Sequence, residues 1–286
     1  MTSLIAAQLI NGVAIGMLYA LTAFGLSIIK GLLNVPNFAH GAFFAVGAYV
    51  CYAADKAGVP FAVSLLLAFL VPAVVGVLVE RLGVSRLMKS PYLYQLLFLF
   101  GTALVMEQLI IIIWGTVGLS MSPPAFLDGA FDLGFTYLPR YLVFNGCMAA
   151  LTIMAVYLLI ERTRIGSQIR AGIDKREMAQ CLGIDVGRLV TAGFGLGSGL
   201  AGLSGGLVLP LLGANATMGA DMMAIAFVVL VIGGLGSIYG AIAAGILVGV
   251  IQSVSTVFVP AASTVLIYVA MIVTLMIRPQ GLFGER

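Results

Sequence analysis

ERTRIGSQIRAGIDKREMAQCLGIDVGR, Glu161 to Arg188, holds six of the chain's fourteen basic residues and four of its eleven acidic ones. It is the only long polar interval in the sequence. The runs on both sides are apolar and long enough to be membrane spans, so the interval reads as a loop at the bilayer surface. Its Lys and Arg content places it in the cytoplasm. Within it Ile169, Ile173, Met178, Cys181, Leu182 and Ile184 recur at roughly helical spacing, and Gly166, Gly172, Gly183 and Gly187 interrupt them. That pattern predicts short amphipathic helices separated by turns. A helix lying along the membrane face can be gripped by a soluble partner; the plainer alternative is a solvated connection.

Hydrophobic residues make up 62% of the 286 and charged residues only 9%, against about 25% charged in soluble domains. Repeated charge-free runs predict an all-α, polytopic transmembrane bundle forming a single domain over residues 1–286, with no room for a separate soluble unit. The basic residues sit in loops, where the positive-inside effect accounts for them, and this excludes a nucleic-acid partner. Cys51, Cys147 and Cys181 are scattered without CxxC spacing, so neither a disulfide framework nor a metal site follows. The first positive charge is Lys30, and the first apolar run is too long for a signal-peptide core, so it reads as the first span.

Cut at about 20 apolar residues per crossing, the chain yields eight or nine spans. The first is Leu4 to Ile29, where Gly12, Gly16 and Gly25 let another helix approach closely. KGLLNVPNFAHG, Lys30 to Gly41, then places two Asn, a Pro and the sole His in otherwise apolar sequence. Pro36 removes a backbone donor and disfavours helix at Val35, which predicts a broken helix near membrane depth, tolerated only where protein or a cavity surrounds it. Ala42 to Ala54 completes the second span and Phe61 to Val79 makes the third. Glu80 to Pro91, with Arg81, Arg86 and Lys89, reads as a cytoplasmic loop, and Leu93 to Trp114 as the fourth span. Gly115 to Arg140 belongs outside, with short strands or an interfacial turn around Ala130 to Tyr137. Tyr141 to Ile160 leads into the polar loop. Beyond it come the glycine-rich Leu189 to Leu212, then Met222 to Ile232, the GGLGS break, Tyr239 to Phe258 and Ala261 to Ile277. Nine spans put the N-terminus outside and the C-terminus inside. HGAFFAVGAYV at His40 and YGAIAAGILVG at Tyr239 form a weak internal echo of the kind that paired broken helices leave in transporters.

No catalytic constellation is visible. His40 without a neighbouring carboxylate reads as a hydrogen-bonding helix terminus. Glu107, toward the outer end of its span, reads as snorkelling to headgroups, with ion coupling as the functional alternative. GLGSGLAG, Gly195 to Gly202, lacks the Lys and Ser/Thr of a phosphate-binding loop. The two breaks nominate Asn34, Asn37, His40, Gly41, Gly233, Gly234 and Gly236 as a substrate pathway. A passive channel, an ion-coupled secondary transporter and the membrane subunit of an ATP-driven transporter all remain open on these residues.

Four stretches carry a resemblance: LNVPNFAHGAFFAVGAY at Leu33 to Tyr49, TRIGSQIRAGIDKREMAQCLGID at Thr163 to Asp185, MGADMMAIAFVVLVIGGLGSIYGAIAAG at Met218 to Gly245, and IRPQGLFG at Ile277 to Gly284. In this order and spacing the chain resembles the LivH-type permease subunits of ABC importers for branched-chain, hydrophobic amino acids, over nearly its whole length. The resemblance implies that the polar loop is a cytoplasmic coupling loop that docks into an ATPase subunit, with Arg170, Ala171, Asp174, Ala179 and Gly183 matching its motif and Gly172 small enough to sit in a cleft. It further implies a LivM-like second permease, two ABC ATPases, a periplasmic or extracellular substrate-binding protein, surrounding membrane lipid, and an inner-membrane location. No cofactor is expected in this chain, since ATP binds the partner subunits. The resemblance also implies as cargo a hydrophobic amino acid or a related small amide. Two residues depart from the pattern: Tyr239 stands where Pro is more usual, and Gln252 where Glu is common.

Overall fold

The computed structural model describes all residues except Met1, Asn34, Lys89, Leu133, Phe135, Lys175, Glu285 and Arg286. Among the described residues the chain folds into helices α1 (Thr2–Leu33), α2 (His40–Lys56), α3 (Phe61–Val79), α4 (Tyr92–Trp114), α5 (Arg140–Arg162), α6 (Arg164–Asp174), α7 (Arg176–Cys181), α8 (Val186–Leu212), α9 (Met218–Gly233), α10 (Ile238–Phe258) and α11 (Ser263–Ile277). Pro60, Pro91 and Pro139 stand directly before α3, α4 and α5. Each fixes its own φ and ends the preceding loop where a helix begins. Asp185 and Ser237 cap α8 and α10 by accepting from the amides of Arg188 and Gly240 at 3.1 and 3.0 Å.

Among the described residues seven helices are long and apolar enough to cross a membrane, and the chain is a polytopic helical bundle. The two remaining expected spans are α2 and α9, of 17 and 16 residues. Each is about 25 Å long, short of the ~30 Å hydrocarbon core. Two boundaries also differ from the sequence reading. α1 runs through Lys30 to Leu33, because Gly31 alone does not stop a helix whose neighbours pack. α3 does not end at Glu80: a π-helical turn, Glu80–Val84, and a last turn, Ser85–Leu87, prolong it. Glu80 is 1% exposed and accepts from the Thr191 hydroxyl at 2.7 Å, which keeps this stretch on α8 rather than in a loop.

α8 is the hub, packed against α1, α2 and α3. Its glycines meet backbone: Gly197 lies on Gly25, Gly202 on Ala68 and Gly205 on Phe44. Tyr141 and Asn145 of α5 both donate to the Leu207 carbonyl, at 3.0 and 2.8 Å. α1 pairs antiparallel with α10, where Gly12 faces Val250, Gly16 faces Gly249 and Ala20 faces Gly245. Lipid gives no hydrophobic drive between helices, and such small-residue seams supply close packing instead. At one end of the bundle Ala130–Asp132 and Tyr137–Pro139 form the antiparallel hairpin β1–β2, and Leu119 and Ala214 exchange backbone hydrogen bonds of 2.8 and 2.7 Å. The other end carries α6 and α7.

The break after α1 runs deep. His40 donates through Nε2 to the Thr22 carbonyl at 2.9 Å, and Thr22 lies three turns, roughly 16 Å, before the end of α1. The chain between them therefore doubles back along α1, with Val35, Asn37 and Ala39 buried in protein. The GGLGS break is closed differently. The tail donates from the amides of Leu282 and Phe283 to the carbonyls of Ile232 and Gly233, at 2.8 and 3.1 Å. These are end-of-helix acceptors that α9 itself leaves open. Gly234 has φ 104°, a conformation that suits glycine, and the tail at Gly284 presses on it.

Candidate coupling surface and transport groove

α6 and α7 are built by local signals. Thr163 ends α5 in extended geometry and its hydroxyl accepts from the Gly166 amide at 3.1 Å, starting α6. Gly166 sits against the Ile160 carbonyl, so α6 folds back tightly on α5. Arg170 braces this turn: it pairs with Glu161 at 3.3 Å and donates to the Ile160 carbonyl. At the far side Gly183, with φ 81°, donates to Gln180, and Ile184 donates to Ala179. This is the paired hydrogen-bond pattern that closes a helix on a left-handed glycine. It gives Ala179 and Gly183 a structural reason for their spacing.

Burial differs sharply along this element. Ile169 and Gly172 are buried, and Ile173 packs on Gly31 at the end of α1. A methyl group at Gly172 would meet Leu189 of α8 and Leu32 of α1, at 3.7 and 4.0 Å. Gly172 thus faces the bundle, and a large side chain there presses on α1 and α8 before it reaches any partner. Ala171 is half-buried; the side chain of Asp174 lies outside the described residues. Ile165, one turn before Ile169 on the same side of α6, is nevertheless 57% exposed, and beyond this helix Met178 and Leu182 are 60% and 80% exposed. Exposed apolar residues amid charge mark a surface for a partner. Spacing alone could not separate the buried from the exposed part of this stripe, because Ile165, Ile169 and Ile173 recur every four residues along one side of α6.

Among the pathway candidates, Asn34 lies outside the described residues. Asn37 starts α2: its side chain accepts from the Ala39 amide and its carbonyl from the His40 amide. His40 is fully buried, and its bond to a carbonyl requires the proton on Nε2, so it pins α2 to α1. Gly233 packs on Gly240 and Gly234 on the tail; nothing lies near Gly236. Of the described members of this set, Gly41 alone lines a groove. There the first turns of α2 and α9 meet, Gly41 against Gly219. The short helix that meets α2 is therefore α9, whereas α10, which carries the sequence echo, pairs with α1. Beside this meeting point a groove of about 330 Å³ opens between α2, α4 and α9, and it includes Glu107.

The model of a family described as "Branched-chain amino acid transport system / permease component" matches residues 8–275. The chain belongs to that family. Relatives span nearly the whole permease. The high-affinity branched-chain amino acid transport system permease protein LivH of Escherichia coli is 25% identical over 97% of this chain and 95% of its own length. The corresponding BraD of Pseudomonas aeruginosa is 27% identical over the same shares. A probable branched-chain amino acid transport permease protein LivH of Methanocaldococcus jannaschii is 29% identical, covering 93% of this chain and 89% of its own. No solved structure matches the chain.

Cys181, at the end of α7, is exposed and serves as a reporter of sidedness. With Cys51 and Cys147 replaced, an impermeant thiol reagent is expected to label the permease in inverted vesicles and not in intact cells. Labelling from outside would overturn the cytoplasmic assignment of α6 and α7.

Proposed function

We propose that this chain is a membrane-spanning permease subunit of an ATP-binding-cassette importer that carries branched-chain or similar hydrophobic amino acids across the inner (plasma) membrane. The observation that carries this reading is the family match over residues 8–275. Its partners are two ATPases, which bind and hydrolyse ATP, a second permease of LivM type, and a substrate-binding protein outside. The geometry fits the division of labour. α6 rests on the ends of α1, α5 and α8, so a displacement of its outer face by an ATPase moves three long helices at once. α8 in turn holds α2 and α3 through backbone contacts that do not yield independently. Coupling through Arg170, Ala171, Ala179 and Gly183 then works by shaping and bracing the element, while Ile165, Met178 and Leu182 make the contact.

The test is uptake into proteoliposomes holding the two permeases and two ATPases, with the binding protein supplied outside. Leucine is expected to accumulate only when ATP is enclosed on the ATPase side. Accumulation driven by an ion gradient without ATP, or equilibration without either, would instead mark an ion-coupled carrier or a channel.

A further inference from the structure

The groove between α2, α4 and α9 contains a charge that the fold does not use. Glu107 is half-buried and, among the described residues, forms neither a hydrogen bond nor an ion pair. It lies two turns before Trp114, roughly 10 Å along α4, and Trp114 is itself packed on the buried Tyr49, with ring centroids 5.1 Å apart. The carboxylate is thus set about two turns inside the end of its span. Ionisable groups within membrane spans are rare and face pathways or partners. The rest of the lining is apolar: Phe38 and Phe227, stacked at 6.4 Å, with Phe100, Ile110 and Met223. Phe38 comes from the broken segment before α2 and Met223 from the short α9. The groove is thus built where the two interrupted crossings meet, which is where transporters assemble substrate sites.

We infer that this groove is a station for the amino acid in transit, in which the Glu107 carboxylate takes the ammonium group and the phenylalanine and methionine wall takes the aliphatic side chain. One anionic group in an otherwise apolar groove complements a molecule that is cationic at one end and hydrocarbon at the other. A cavity of this size is in the range that holds a small ligand. The single charge selects for the amino group, while the wall, lacking polar groups beyond it, discriminates weakly among hydrophobic side chains. This assignment rests on the importer reading and adds to it a residue on the route.

The experiment uses the complete complex in proteoliposomes and reads the maximal rate of leucine uptake, with ATP hydrolysis measured in parallel. Glu107→Gln is expected to lower that rate about tenfold or more, equivalent to ~1.4 kcal/mol, while Glu107→Asp retains most of it and ATP hydrolysis continues. Ala103→Phe, which fills the groove while keeping the Glu107 carboxylate, is expected to lower uptake likewise. An assembled Glu107→Gln complex that transports at the wild-type rate overturns the assignment, and means that lipid or the second permease occupies the groove. If Glu107→Gln fails to assemble, Ala103→Phe decides: loss supports the station and a wild-type rate overturns it. Absence of ATP-driven uptake by the wild-type complex would instead sink the importer reading itself.

Discussion

Gly41→Val is expected to abolish transport while leaving the chain inserted in the membrane. Any side chain at this position begins 2.0 Å from the Gly219 carbonyl oxygen and 2.7 Å from the Met223 Cβ. The nearest atom is backbone in the first turn of α9, so no rotamer change relieves the clash and the two short helices must separate. Overpacking typically costs 1–3 kcal/mol; with backbone as the obstacle, a cost of about 3 kcal/mol or more is expected here. That is enough to depopulate the joined arrangement more than a hundredfold. Since α1, α8 and α10 form their own seams, the bundle should still insert. Uptake by the reconstituted complex, normalised to permease in the membrane, checks this. Gly101→Ala on α4, where nothing lies within 4 Å, is the matched control and should be neutral. Full uptake by Gly41→Val would show that the contact between α2 and α9 is incidental to transport.

Ile165→Glu is expected to uncouple the permease from its ATPases. The side chain is 57% exposed in the first turn of α6, one turn before the buried Ile169 on the same side of the helix. In the isolated chain a charge there meets water, and surface substitutions of this kind change stability by no more than about 0.5 kcal/mol. In a docked complex the same charge is buried against a partner. Loss of a central apolar contact alone costs about 2 kcal/mol, roughly thirtyfold in association, and the unpaired carboxylate adds to it. The variant should insert, retain the Arg170–Glu161 pair and remain folded. Gly172→Trp is a poorer probe, since its side chain would strike Leu32 and Leu189 within the permease.

The spans were legible because lipid demands long charge-free runs, and the break after α1 because Asn34, Pro36, Asn37 and His40 are costly in a continuous helix. Around Ala130 to Tyr137 the turn residues outside the spans left short strands and an interfacial turn both open, and the structure has the strands. The continuation of α3 past Glu80 was hidden because a carboxylate in sequence signals water, and only the fold supplies Thr191 from across the chain. The meeting of Gly41 with Gly219 was hidden for a similar reason. Each glycine sits in a Gly/Ala-rich run, and composition cannot say which runs touch. His40 and Asn37 stood out as polar residues in an apolar setting, yet that signal is shared by groups that hold a break together and groups that line a path. Glu107 was visible in the sequence, but its lack of a partner and its apolar surroundings belong to three helices far apart in the chain.

Entry of ATP-driven motion through the exposed apolar residues of α6 and α7 is tested most directly by ATPase retention. Membranes expressing the whole importer with either wild-type permease or Ile165→Glu are solubilised, and the permease is purified by a tag at its N-terminus. Wild-type permease is expected to bring down both ATPases, whereas Ile165→Glu, recovered in equal amount, brings down few or none and supports no ATP-dependent leucine uptake. Equal retention of the ATPases and undiminished uptake by the variant would contradict the account.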